Sequence, residues 1–286
     1  MVAGAPKSGG ASSGSVTIPK GRSALTRIEN VAKNRLDNGD LAIGVGLRQA
    51  RTVDIAKLMK TAGFDWLFID QEHSSSSLDN AADISCAAQD AGITPIVRVP
   101  GIEHYHAAKA LDGGAQGIVV PHVDSVDVAE AMVQYSRYPP IGKRSVVGRL
   151  PQLDFASTPL GEAAAAVNAS TLLILMIESA QAVDDAEKIA RVPGVDVLLV
   201  GANDLSMELG IPGDLDHASM VEALSKVVAA CRSAGIHPGL GGVYRQDLIE
   251  RYVDMGFRMI LAGSDLSLML DAGKASASAI RSLPVG

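Results

Sequence analysis

From residue 23 to its end the chain repeats one pattern: a short apolar run, a turn rich in Gly, Asp, Ser or Pro, then a stretch whose apolar residues recur every three to four positions. The short runs fall at 41–46, 66–70, 95–99, 117–120, 172–178, 195–201, 237–241 and 258–263. Several are apolar without alternation, as expected of strands buried on both faces in a parallel sheet. Between them, 53–62, 81–91, 126–135, 182–190, 220–234 and 246–254 carry helical periodicity. Ahead of the first run, Leu25, Ile28, Ala32 and Leu36 share one helical face, and Thr26 and Glu29 have the spacing of a capping box. Eight alternations predict a closed (β/α)8 barrel, with a doubly wound open sheet as the structural rival. The stretch 136–171 is too long for a plain loop and is expected to carry an extra helix or a lid.

Composition agrees with one large domain over 23–286. The chain has 286 residues, 47% of them hydrophobic, and a barrel of this kind takes about 250. Residues 1–22 are Gly-, Ser- and Ala-rich with few large apolar groups, and are expected to form a flexible tail. A formal net charge of −7 argues against a nucleic-acid or anionic-membrane binder. Cys86 and Cys231 stand far apart in apolar, helix-like stretches and are expected to be buried free thiols. No apolar run reaches the ~18 residues that would span a bilayer, so a cytoplasmic location is expected.

Active sites of such barrels form at the carboxyl ends of the strands. That rule brings Asp70, Glu72 and His73 to the mouth after the second run, Arg98 after the third, Pro121 and His122 after the fourth, Glu178 after the fifth, and Asn203 and Asp204 after the sixth. Glu178 and Asp204 end adjacent strands, and two carboxylates are hard oxygen ligands suited to Mg²⁺ or Mn²⁺. For Asp204 a helix N-cap is the competing role. Arg98 suits a substrate carboxylate or enolate, or an ion pair with a neighbouring acid. His73 stands out among the six histidines because it follows two carboxylates at a strand end. His104 and His106 read as a surface loop, and His217 and His237 as structural. A Schiff-base route needs a lysine at a strand's carboxyl end, and none of the ten lysines is placed there.

The segments AGFDWLFIDQEHS (62–74), PIVRVP (95–100), LDGGAQGIVVPHVDS (111–125), RYPPIGKRS (137–145), MIES (176–179) and GVDVLLVGANDLSMELGIPG (194–213) resemble the HpcH/HpaI class II pyruvate aldolases, in order and over about 44–272. The resemblance implies a (β/α)8 barrel assembled as a hexamer, with the last helix exchanged between neighbouring subunits. It implies a divalent metal on Glu178 and Asp204, Mg²⁺ foremost with Mn²⁺ or Co²⁺ as alternatives. Arg98 would contact the 2-oxo acid and its enolate oxygen, and His73 would act as acid/base. Asp70 would lie beside His73, and Asp112 would be the carboxylate supporting it. Backbone amides around Asn203 and Asp204 would receive the substrate carboxylate.

The implied substrates are pyruvate or oxaloacetate together with an aldehyde, joined in 4-hydroxy-2-oxo acids, and oxaloacetate decarboxylation is an expected side reaction. Members acting on dicarboxylic semialdehydes usually carry Gln where this chain has Met176, so the acceptor is left open. Decarboxylative carbon–carbon bond formation is one alternative. A CoA-thioester lyase of the citryl- or malyl-CoA type is another, with Lys143 and Arg144 meeting the CoA phosphates.

Overall fold

The computed structural model describes Met1 and residues 28–285. The expected tail beyond Met1, and Leu25 and Thr26 of the expected first helical turn, lie outside the described residues. Eight parallel strands close into a barrel in sequence order: β1 (Ala42–Leu47), β2 (Trp66–Asp70), β3 (Thr94–Arg98), β4 (Gly117–Val120), β5 (Leu172–Ile177), β6 (Val197–Gly201), β7 (His237–Gly241) and β8 (Met259–Ser264). The open-sheet rival is thereby excluded, because β8 pairs back onto β1. Around the barrel run α2 (Asp54–Thr61), α3 (Leu78–Ala91), α4 (His104–Asp112), α5 (Val126–Ser136), α6 (Leu160–Ser170), α7 (Ala180–Ala190), α8 (Ala202–Glu208), α9 (Ala218–Ala234) and α10 (Gln246–Met255). They are preceded by α1 (Val31–Asp37) and followed by α11 (Asp265–Arg281).

The apolar strands bury both faces, as their lack of alternation requires. Outward residues such as Val45, Leu67, Ile118, Leu175 and Leu198 pack beneath the helices, while Trp66, Phe68, Ile96, Ile174, Met176 and Leu199 fill the barrel. α1 plugs the amino end with Ala32 and Leu36. It begins at Asn30, whose side chain caps Lys33 N and also donates to the Gln116 and Ser170 carbonyls. Gly44 pairs with Trp66 in register, and a Cβ there would lie 2.1 Å from the indole. Gly44→Ala is therefore expected to destabilise by about 1–3 kcal/mol or more through overpacking, measured as a drop in the denaturation midpoint.

Several expectations change. His104 and His106 sit in the first turn of α4 rather than in a loop, His104 exposed and His106 half-buried. Cys231 is fully buried, with its thiol pushed up to about 12 by burial, whereas Cys86 is only half-buried. The stretch 136–171 does add a helix, α6, but it follows α5, which returns to the amino end of the barrel. There Tyr138, Leu150, Leu153 and Val167 pack with Ile28, so in this chain the insertion underpins the barrel and does not cover its mouth. α11 touches the barrel at the ends of β1 and β8, and only Asp265 of it is buried; Leu268, Met269, Leu270 and Ile280 are exposed.

Candidate active site

Arg98, the last residue of β3, is 5% exposed and rests over the Phe68 ring. Its Nε and Nη2 donate to the two Asp70 oxygens at 3.0 and 2.7 Å, and Nη1 lies 2.8 Å from Glu72 Oε2. The ion-pair role is thus real, yet three contacts leave two of five guanidinium N–H groups for a ligand. Asp70 is wholly buried. Burial pushes its carboxyl up, but the bond to Arg98, that charge, and the His73 and Glu72 N–H groups outweigh it and leave it below the ordinary value. Those two N–H bonds, 3.1 Å each, fold the loop after β2 around the Asp70 carboxylate. Asp70 therefore positions His73 through its backbone. The His73 ring itself is half-exposed, with Glu72 Oε2 3.8 Å from Nε2.

Glu178 follows β5 and is 4% exposed. One carboxylate oxygen accepts the His122 N–H at 2.9 Å, and the other lies against Gly201, where a Cβ would come within 2.6 Å. Burial raises its carboxyl above the usual range; His122 pulls it down, and the negative charges of Asp204 and Glu72 push it further up. Asp204 lies in the first turn of α8, exposed, and the N-cap position belongs to Gly201 with no side-chain cap bond. The capping role for Asp204 is therefore absent. The strand-end rule reached His122 without assigning it a role. In the fold it bridges two acids, with Nε2 3.0 Å from Glu72 and Nδ1 3.4 Å from Glu178, on a backbone turned to φ 53°.

Four carboxylates, Asp70, Glu72, Glu178 and Asp204, thus share the mouth with the guanidinium groups of Arg48 and Arg98. Among the described residues no three His, Cys, Asp or Glu side chains cluster as a complete metal cage. Two facing carboxylates, one of them desolvated, nevertheless fit a hard divalent cation that completes its shell with water and substrate oxygens. Among the described residues no lysine lines the cavity of about 360 Å³ that Asp204 and Arg98 border.

Asp112 is not brought to the mouth of its own chain. α4 runs back to the amino end of the barrel, and there its last residue pairs with Arg144 at 2.5 Å. The Asp112 carboxylate, expected to support His73, is thus paired with Arg144 and not with the His73 of its own chain. Arg144 is buried against Asp112 and the Tyr138 ring at the same end. Lys143 and Arg144 therefore cannot serve a CoA phosphate at this chain's mouth.

Residues 48–272 match the model of the HpcH/HpaI aldolase/citrate lyase family. The chain belongs to that family. This HpcH/HpaI protein is 41% identical to a 4-hydroxy-4-methyl-2-oxoglutarate aldolase of Chaetomium globosum over 85% of the chain and 91% of the relative. It is 33% identical to a hydroxypyruvate/pyruvate aldolase of Paraburkholderia phytofirmans, over 90% of the chain and the relative's full length, 100%. The crystal structure of macrophomate synthase superposes with a TM-score of 0.75 at 29% identity, covering 90% of this chain and 92% of that one. The HpcH/HpaI chain is accordingly a carbon–carbon lyase. No helix among its described residues is long and apolar enough to cross a membrane.

Proposed function

We propose that this protein is a divalent-metal-dependent aldolase that makes and cleaves 4-hydroxy-2-oxo acids through the enolate of pyruvate. The observation that carries this is that Asp204 lines the same cavity as Arg98, while the Glu178 carboxylate lies against Gly201 of that cavity and close enough to Asp204 to feel its charge. When bound there, a divalent cation, Mg²⁺ first and Mn²⁺ or Co²⁺ as alternatives, supplies Lewis-acid polarisation of the 2-oxo group. The chain's own groups do the rest. Glu178 and Asp204 hold the cation. Asn203 and the amides of the first turn of α8 orient the substrate carboxylate. Arg98 directs its two remaining N–H groups at the negative charge growing on the enolate oxygen. His73 takes the proton of the C4 hydroxyl in cleavage and returns it in synthesis, held in place by the loop that Asp70 organises. Loss of CO₂ from oxaloacetate reaches the same enolate, so decarboxylative bond formation belongs to the same apparatus.

The names of the aldolase relatives support the substrate class, and the exposed apolar residues of α11 support exchange of that helix between subunits of a hexamer. In such an assembly Asp112 would face a neighbour and not its own His73. The cytoplasm is the proposed location.

The test uses protein stripped with chelator and resupplied with Mg²⁺, Mn²⁺ or Co²⁺. Deuterium exchange at pyruvate C3 and oxaloacetate decarboxylation should both appear with metal and vanish without it. Neither reaction in any metal-loaded sample would overturn the proposal.

A further inference from the structure

The cavity extends beyond the metal and enolate groups toward β1, β7 and β8, where Arg48, Tyr244, Ser264 and Ser267 line it. On that side the register of β1 against β8 shifts between Gly44 and Gly46. The two serines are occupied with each other: Ser264 Oγ accepts from Ser267 N, and Ser267 Oγ donates to Ser264 O while accepting from Ser264 N. They cap α11 and have little left for a ligand. Arg48 and Tyr244 remain.

Arg48 differs from Arg98 in how little of its guanidinium is used. Among the described residues its guanidinium makes one ion pair, Nε to Asp70 Oδ2 at 3.4 Å, and that oxygen already receives Arg98 Nη2 at 2.7 Å. Asp70 does not need Arg48 for neutralisation, since Arg98 and two backbone N–H groups serve it. The Arg48 side chain is 45% exposed, yet its backbone is firmly held. Buried Asp265 accepts the N–H groups of Arg48, Gln49 and Ala50 at 2.9, 2.9 and 2.6 Å, which pins the loop after β1. A free guanidinium on a fixed loop is preorganised for a planar anion. Tyr244 stands close enough to feel the charges of both Arg48 and Arg98, and among the described residues its hydroxyl has no hydrogen-bond partner.

We infer that Arg48, with Tyr244 beside it, is the specificity-determining group that receives a carboxylate next to the acceptor's reacting carbonyl, and so sets a preference for a 2-oxo acid as second substrate. This rests on the pyruvate-enolate reading above and assigns the residues that choose its acceptor. In synthesis C3 of the enolate bonds to the acceptor's carbonyl carbon, and the carbonyl oxygen takes a proton to become the C4 hydroxyl. Cleavage breaks that bond and returns the electron pair to the enolate. Nothing is oxidised or reduced.

The experiment uses full-length metal-loaded protein with pyruvate as donor and two acceptors of equal carbon count, glyoxylate and glycolaldehyde. Wild type should favour glyoxylate in kcat/KM, and Arg48→Gln should lower that preference by about 100-fold, the scale of a lost hydrogen bond to a charged group. Arg48→Lys should restore part of the preference, and Tyr244→Phe should lower it less than Arg48→Gln does. A wild-type enzyme indifferent between the two acceptors, or an Arg48→Gln preference within about twofold of wild type, would overturn the inference. So would an equal preference for glycolaldehyde phosphate, which would make the site a general anion site. Pyruvate C3 exchange in wild type without acceptor tests the enolate reading separately. If exchange is absent, calorimetric titration of glyoxylate against glycolaldehyde decides the arginine's role, and equal binding in wild type and Arg48→Gln counts against it.

Discussion

Glu178→Gln should lose metal-dependent turnover by about 10³-fold or more, while the metal-stripped protein becomes more stable than wild type at neutral pH. The first effect follows from removing one of the two carboxylates proposed to hold the cation, whose Lewis acidity would stabilise several kcal/mol of developing charge. The second follows from burial. The Glu178 carboxyl lies above its ordinary value of 4.5, chiefly because it is desolvated and also because it faces Asp204 and Glu72. A group whose pKa is raised in the folded protein contributes stability that is complete below the unfolded value and lost as pH rises through the folded one. At neutral pH the stripped wild type therefore carries a cost that the neutral amide does not. The amide oxygen can still accept the His122 N–H. Thermal unfolding of stripped wild type and variant from pH 5 to 8 should show the variant's advantage growing with pH. Added metal should stabilise wild type and leave the variant unmoved. An active Glu178→Gln enzyme at the same metal concentration would remove Glu178 from the metal site.

Arg98→Ala is expected to cost about 3–5 kcal/mol of stability, because it leaves Asp70 and Glu72 buried without their cation. Turnover should fall by about 10²–10³-fold from loss of enolate stabilisation. Arg98→Lys keeps the charge but cannot span both acids, so its activity should fall nearly as far while its stability falls less. The pH dependence separates these effects. In wild type the Asp70 carboxyl is held below 3.8, so its stability contribution is present above that value and lost as pH drops through the folded one. Without the arginine, the His73 and Glu72 N–H groups are left to oppose burial, and the carboxyl moves up from its wild-type position. The stability deficit of Arg98→Ala should then be largest near neutrality and shrink toward pH 4, measured by denaturant unfolding. A deficit constant across that range would mean that lost packing on Phe68, not the buried charge, accounts for it.

The strands were legible because both of their faces are buried, which leaves apolar runs such as 66–69 and 172–177 between turn residues. α4 was not, since HYHAAKALD opens with three polar-edged aromatic rings and its apolar face is mostly alanine. The strand-end rule reached Asp70, Arg98, Glu178 and Asp204 because strand ends at the mouth are where a barrel tolerates charge. It could also have weighted His122, which ends its strand in the same way. Arg48 and Tyr244 carried no such signal: one follows an apolar strand as any loop arginine might, and the other sits in a loop after glycines.

What the sequence alone determined is the barrel and the acids and arginine that gather at the carboxyl ends of its strands, since burial and strand polarity are written in local patterns. The tertiary structure decided which of those groups are already committed to one another. Arg98 spends three contacts on Asp70 and Glu72, Asp204 caps nothing, and Asp112 lies at the opposite end of the barrel. It also decided that Arg48 is left with donors to spare. Pairing depends on distances between residues up to 217 positions apart, such as Arg48 and Asp265, and those distances exist only once the last strand has closed on the first.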